Sequence, residues 1–140
     1  MLDLNVLIAL IDDEHEHYQS AQQWFASRGD GEWGTCPLTE AGLIRYVMNP
    51  ATHFPATGFR AAIEALRRLA ERPGHCFWPI PDGWAVLTER FTGRIFGHQQ
   101  VTEACLLGLA IKGNGVLVTF DKGIRYLAGP QFAGNVLILQ

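Results

Sequence analysis

The clearest secondary-structure signal in the chain is GVLVTFD, residues 115–121. Its centre, Val116-Leu117-Val118, is continuously apolar, which predicts a strand over residues 115–120 that is buried on both faces. Such strands are typical of parallel sheets covered by helices. Asp121 follows the strand directly, so we expect a carboxylate at the carboxyl edge of the sheet, where open α/β sheets form their sites.

Short apolar runs and amphipathic stretches alternate along the rest of the chain, which favours an α/β fold. Further strands are predicted at residues 1–2, 33–36, 76–80 and 136–139, and helices at residues 6–11, 15–28, 37–48, 58–72, 83–91 and 100–112. This order predicts a three-layer α/β/α sandwich with a mainly parallel central sheet. The first strand has two residues before Asp3, where about five would be usual. The strand is either truncated or begins upstream of Met1, and the pattern leaves both possibilities open.

Length and composition limit the class of protein. The 140 residues suit a single domain over residues 1–140, and 48% hydrophobic content with 18% charged residues excludes general disorder. No apolar run approaches the roughly 20 residues that span a bilayer, so no membrane association is expected. Three widely spaced cysteines form no metal-binding pair, which favours a reducing cytoplasm. The net charge of −3 by itself disfavours a nucleic-acid partner.

Four carboxylates differ from the other acidic residues in their position. Asp3 and Asp121 follow predicted strands, and Glu40 and Glu103 lie in the first turns of predicted helices beside strands. Burying acidic groups beside apolar strands is costly unless a cation compensates them, and oxygen ligands alone indicate Mg²⁺ or Mn²⁺ rather than Zn²⁺. The alternative is that each residue only caps a helix or complements its dipole. Most other carboxylates, Asp12, Asp13 and Glu14 among them, are expected to be solvated.

Four blocks of the sequence resemble a PIN-domain ribonuclease, specifically the VapC-type toxin of bacterial toxin–antitoxin pairs. The blocks are LDLNVLIAL (residues 2–10), PLTEAGLIR (37–45), VTEACLL (101–107) and LVTFDKG (117–123). The resemblance covers essentially the whole chain, and the first and last blocks are its most specific part.

The resemblance implies an acidic pocket that binds one or two Mg²⁺ or Mn²⁺ ions and a metal-dependent endoribonuclease activity. Its implied catalytic and metal-binding residues are Asp3, Glu40, Glu103 and Asp121, supported by the polar residues Asn5 and Thr119. The family usually has Asp at the third acidic position, whereas this chain has Glu103, whose extra methylene moves the carboxylate by about one bond. The resemblance also implies a homodimer that binds a small antitoxin protein.

RNA binding also requires cations near the pocket. Arg94 precedes the Glu103 block, and Lys122 and Arg125 follow Asp121, so these three are predicted to contact phosphates. Setting aside the four predicted ligands leaves ten of the fourteen acidic residues against eleven basic ones, so the acidity need not repel RNA. Two alternatives remain: a non-catalytic PIN-like module that binds RNA or protein, and a different acidic α/β protein such as a receiver-type or phosphoryl-transfer domain.

Overall fold

The computed structural model describes residues 1–54 and 58–140 and contains helices on both sides of a short parallel sheet. The helices are α1 (Leu4–Ile11), α2 (Tyr18–Ser27), α3 (Pro37–Met48), α4 (Phe59–Ala70), α5 (Trp84–Thr88), α6 (Val101–Lys112) and α7 (Ile124–Ala128). The strands are β1 (Trp33–Thr35), β2 (His75–Phe77), β3 (Leu117–Thr119) and β4 (Val136–Ile138). Three 3₁₀ turns (Glu89–Arg94, His98–Gln100 and Pro130–Asn135) complete the described elements.

The predicted first strand is reduced to a bridge between two pairs of strands. β1 pairs with β2 and β3 with β4, and both pairs are parallel. Leu2 forms a parallel bridge with Val118 and donates its backbone N–H to the carbonyl of Gly34 at 2.9 Å. The first residues of the chain therefore join the two pairs, and they place Asp3 beside the end of β3.

Buried side chains form two clusters, and consecutive residues of a strand contribute to one and then to the other. Met1 and Leu117 belong to a cluster with residues of α6 and α7, whereas Leu2 and Val118 belong to a cluster with residues of α1, α3 and α4. Successive side chains of a strand point to opposite faces, so the two clusters are the two helix–sheet interfaces. The expected α/β/α sandwich is confirmed. Over the described residues, no helix has the length and apolarity needed to cross a membrane.

The predicted bounds agree best where local stop signals are strong. α3 spans the predicted residues 37–48, with Pro37 in its first turn and Asn49 at its end. β2 begins one residue earlier than predicted and ends at Phe77, because Pro79 and Pro81 have no N–H for the ladder. The helix predicted at residues 83–91 is instead the short α5 followed by a 3₁₀ turn.

Candidate active site

Asp3 lies where the first bridge of the sheet passes into α1. It is the N-cap of α1, and its Oδ1 accepts the N–H of Leu4 at 2.7 Å. Its Oδ2 accepts the hydroxyl of Thr119 at 2.6 Å, and only 8% of the residue is exposed. Burial raises the pKa of Asp3, the negative charge of Asp121 adds to this effect, and the hydrogen bonds from Thr119 and Leu4 oppose it.

Thr119 connects the polar groups at the carboxyl end of β3. Besides donating to Asp3, its Oγ1 accepts the side-chain amide of Asn5 at 3.0 Å and the backbone N–H of Asp121 at 3.0 Å. Asn5 Oδ1 in turn accepts the N–H of Phe120 at 3.2 Å. The hydroxyl and the amide therefore fix the backbone that leads to Asp121.

Glu103 supplies the third carboxylate from the first turn of α6. Its Oε2 is buried and has no hydrogen-bond partner among the described residues. Burial raises the pKa of Glu103, and the negative charges of Asp3 and Asp121 raise it further. Three of the four predicted carboxylates therefore act on one another electrostatically, although they come from opposite ends of the sequence.

Glu40 has different neighbours. It lies in the first turn of α3, and its Oε1 accepts the hydroxyl of Thr35 at 2.6 Å. The same Thr35 oxygen lies 2.9 Å from His75 Nε2. Since an ionised carboxylate can only accept, the hydroxyl proton points to Glu40, and His75 must donate its Nε2–H to Thr35. Burial lowers the pKa of His75, which favours this neutral form, while the charge of Glu40 opposes the shift.

The composition and environment of this acidic set fit a hard divalent cation. Its donors are carboxylate oxygens, which Mg²⁺ and Mn²⁺ prefer. The orphaned Glu103 Oε2 and the raised pKa values of Asp3 and Glu103 indicate negative groups that lack a compensating positive charge. The carboxylates are not already gathered into a tight cage, because the one group of three ligand side chains within 4.8 Å in the described structure lies elsewhere.

That other group consists of Asp12, Asp13 and His53. Asp12 ends α1, whereas Asp3 begins it, so about 13 Å separates the two along the helix axis. The prediction that Asp12 is solvated was wrong, because only 3% of it is exposed. Its carboxylate accepts the Tyr46 hydroxyl, lies 3.3 Å from His53 Nε2, and accepts the N–H of Glu14 at 3.0 Å. Burial and, to a smaller extent, the hydrogen bond that Tyr46 donates to Asp12 raise the pKa of Tyr46 to about 12.

The three predicted basic residues have different environments. Lys122 and Arg125 are exposed just after Asp121, and neither forms an ion pair within the part of the chain that the structure describes. Arg94 is half-buried, and its Nη1 donates to the carbonyl of Ala128 at 2.7 Å. Lys122 and Arg125 are therefore free to meet phosphates, whereas the Arg94 guanidinium already holds the end of α7.

Sequence patterns did not identify Thr35, His75 and Asp12 as organising residues. Thr35 has a weak local signal, since it is a polar residue at the end of an apolar strand and five residues before Glu40. His75 and Asp12 have none, because their partners lie 40 and 34 positions away in the chain.

Comparisons with known proteins identify the family. Residues 1–130 match the PIN domain family model. The chain is 37% identical over 139 residues to Ribonuclease VapC39 of Mycobacterium tuberculosis, covering 99% of this chain and 98% of the relative. Ribonuclease VapC38 of the same organism is 39% identical over 128 residues (91% and 89%), and Ribonuclease VapC44 is 33% identical over 132 residues (93% and 91%). With a family model that matches residues 1–130 and relatives that cover nearly the whole chain, the chain belongs to the PIN domain family.

Proposed function

We propose that this chain is a metal-dependent endoribonuclease and the toxin of a toxin–antitoxin pair. The observation that carries the proposal is the acidic set of Asp3, Glu103 and Asp121, in which Asp3 is buried and the buried Glu103 Oε2 has no partner among the described residues. Such an arrangement is unfavourable for a metal-free binding surface and favourable for a cation site. Relatives over nearly the whole length are named ribonucleases, which supports RNA as the substrate.

Asp3, Glu40, Glu103 and Asp121 would hold Mg²⁺ or Mn²⁺. When bound, the metal lowers the pKa of a water molecule and neutralises charge at the leaving oxygen. Glu40 would join the other three from α3, with its Oε1 held by Thr35 and that hydroxyl held by His75. Glu103 stands where the family usually has Asp; its Oε2 is buried, and the charges of Asp3 and Asp121 raise its pKa.

The chain's own residues prepare the site and position the substrate. The Thr119 hydroxyl stabilises the ionised form of Asp3, and Asn5 fixes Thr119 and the backbone before Asp121. Lys122 and Arg125 would bind the phosphates on either side of the reacting one. Hydrolysis adds water across the P–O3′ bond and leaves a 3′-hydroxyl and a 5′-phosphate. No histidine general base is required in this scheme.

The decisive experiment compares Asp121→Asn with Asp30→Asn. Asp121 is exposed, so its substitution should leave the fold intact, and Asp30 is an exposed carboxylate in the turn after α2 that serves as the matched control. We expect Asp121→Asn to reduce Mg²⁺-dependent RNA cleavage by at least about 100-fold. This loss exceeds the roughly 10- to 100-fold effect that is typical when a residue that only orients a metal ligand is replaced. Asp30→Asn should cleave like the wild type, and EDTA should stop cleavage by both proteins.

Equal cleavage by Asp121→Asn and the wild type would contradict the assignment of the site. The second candidate function is a non-catalytic module, which the departure at Glu103 favours. RNA binding without cleavage at millimolar Mg²⁺ and Mn²⁺ would support that alternative.

The further parts of the proposal concern partners and compartment. We expect a homodimer and a small antitoxin protein that covers the acidic groove. A cytoplasmic location is supported by the three free cysteines at positions 36, 76 and 105, since such thiols are usual in a reducing compartment. Co-expression with a small neighbouring reading frame, followed by co-purification and loss of cleavage, tests the antitoxin.

A further inference from the structure

Two aromatic side chains stand out from the described surface. Phe96 is 87% exposed and Tyr126 is 83% exposed, more than any other large hydrophobic residue in the described part of the chain. Neither ring contributes appreciable burial to the fold. Phe96 precedes the helix that carries Glu103, and Tyr126 lies on the helix that follows Asp121, so their exposure calls for an explanation in terms of what binds there.

Tyr126 belongs to the short helix that follows Asp121. Asp121 Oδ1 accepts the N–H of Gly123 at 2.7 Å, and α7 begins at the next residue. Ile124 and Leu127 of α7 are buried, whereas Arg125 and Tyr126 are exposed. The solvent-facing side of α7 therefore presents an aromatic ring and a guanidinium within five residues of a proposed metal ligand.

Phe96 lies on a loop that is held in place on both sides. Gln100 Oε1 accepts the N–H of Phe96 at 2.8 Å and that of Gly97 at 3.2 Å, directly before α6, which carries Glu103. On the other side, Arg94 Nη1 donates to the carbonyl of Ala128 at the end of α7. The Phe96 loop and α7 are thus joined, and each adjoins a carboxylate of the site. A fixed loop presents its ring at little further loss of conformational entropy.

The charge near these rings favours a polyanion. Lys122 and Arg125 are exposed and form no ion pair among the residues that the structure describes. Aromatic faces combined with cations are typical of surfaces that bind single-stranded nucleic acid, where bases stack on the rings and phosphates meet the cations. In a duplex the bases already stack on one another and offer no free face.

We infer that Phe96 and Tyr126 are positioning residues whose rings stack against the bases that flank the scissile phosphodiester. This inference rests on the proposed ribonuclease function and adds to it two positioning residues. Stacking contributes to substrate binding and not to bond cleavage, so its loss should appear in KM and leave kcat nearly unchanged.

The test uses a pool of hairpin RNAs with a constant stem and a randomised loop, which requires no knowledge of the target sequence. The wild type should cut within the loop. Tyr126→Ala and Phe96→Ala should each raise KM by roughly 5- to 150-fold, the range given by stacking energies per base, with kcat within about twofold. Tyr126→Phe keeps the ring and should keep KM. Phe59→Ala removes an aromatic side chain of α4 that is 60% exposed and should behave like the wild type.

The outcomes separate the inference from the function on which it rests. If the wild type cleaves and both alanine variants keep its KM, the stacking role is refuted while the nuclease stands. Cuts placed equally in the stem would also refute the stacking role, because paired bases offer no free face to the rings. If the wild type cleaves no RNA, the proposed function itself fails. Sedimentation tests the alternative that the two rings contact a second copy of this chain. A change from dimer to monomer in either alanine variant would assign the rings to that contact.

Discussion

The sharpest test of how the site is built is the replacement of Thr119 by Val. Thr119 is fully buried, and its hydroxyl makes three hydrogen bonds, to Asp3, Asn5 and the backbone of Asp121. Val keeps the shape of the side chain and removes all three. The lost bond to a buried carboxylate contributes about 1.5–3 kcal/mol, and the other two contribute less because their groups are partly exposed. We expect a total destabilisation of about 2–4 kcal/mol.

Thr119→Ser is the matched control. Serine keeps the hydroxyl and removes a buried methyl group, so it should cost only about 1 kcal/mol. Both variants are measured by urea unfolding of the metal-free protein. If Thr119→Val is no less stable than Thr119→Ser, the hydrogen bonds of this hydroxyl do not stabilise the site, and the reasoning is refuted.

The same pair of variants predicts a dependence on pH. Because the Thr119 hydrogen bond lowers the pKa of Asp3 against the effect of burial, its removal raises that pKa further above 3.8. A carboxyl whose pKa is raised in the folded protein gives its full stabilisation below the unfolded value, and this stabilisation is lost as the pH rises through the folded value. Thr119→Val should therefore be more destabilising at pH 8 than at pH 5. The acid limb of its cleavage profile should also move to higher pH, whereas that of Thr119→Ser should not.

Three further substitutions test other parts of the structure. Glu103→Gln removes a poorly solvated charge and should raise the Tm of the metal-free protein by roughly 2 °C while abolishing the stabilisation by Mg²⁺, as scanning calorimetry would record. Thr35→Val removes the hydroxyl that holds Glu40 and should slow RNA cleavage by about 10- to 100-fold, whereas Thr35→Ser should stay within about threefold. Gly108→Ala would place its Cβ 2.3 Å from the carbonyl oxygen of Leu87, and backbone cannot yield cheaply, so urea unfolding should show a loss of about 2–3 kcal/mol.

Local patterns were sufficient to predict much of the fold. The bounds of α3 and the start of β4 agree with the structure because proline and the onset of an apolar run act on their immediate neighbours. The electrostatic coupling of Asp3 and Asp121 was also predictable, since both follow parallel strands whose carboxyl ends meet at one edge of the sheet. That rule does not cover Glu103, which lies in the first turn of α6. The metal-binding role of these three residues is still a prediction.

The environment of each side chain depended on the tertiary structure. The sequence indicated a solvated Asp12, but the fold buries it against Tyr46, which lies 34 positions away. The link from His75 through Thr35 to Glu40 spans 40 positions and leaves no periodic trace. Composition also could not distinguish a buried aromatic ring from the exposed rings of Phe96 and Tyr126. The physical reason is that helix and strand signals arise between residues a few positions apart, whereas burial and hydrogen bonding at a site depend on segments that only the folded chain brings together.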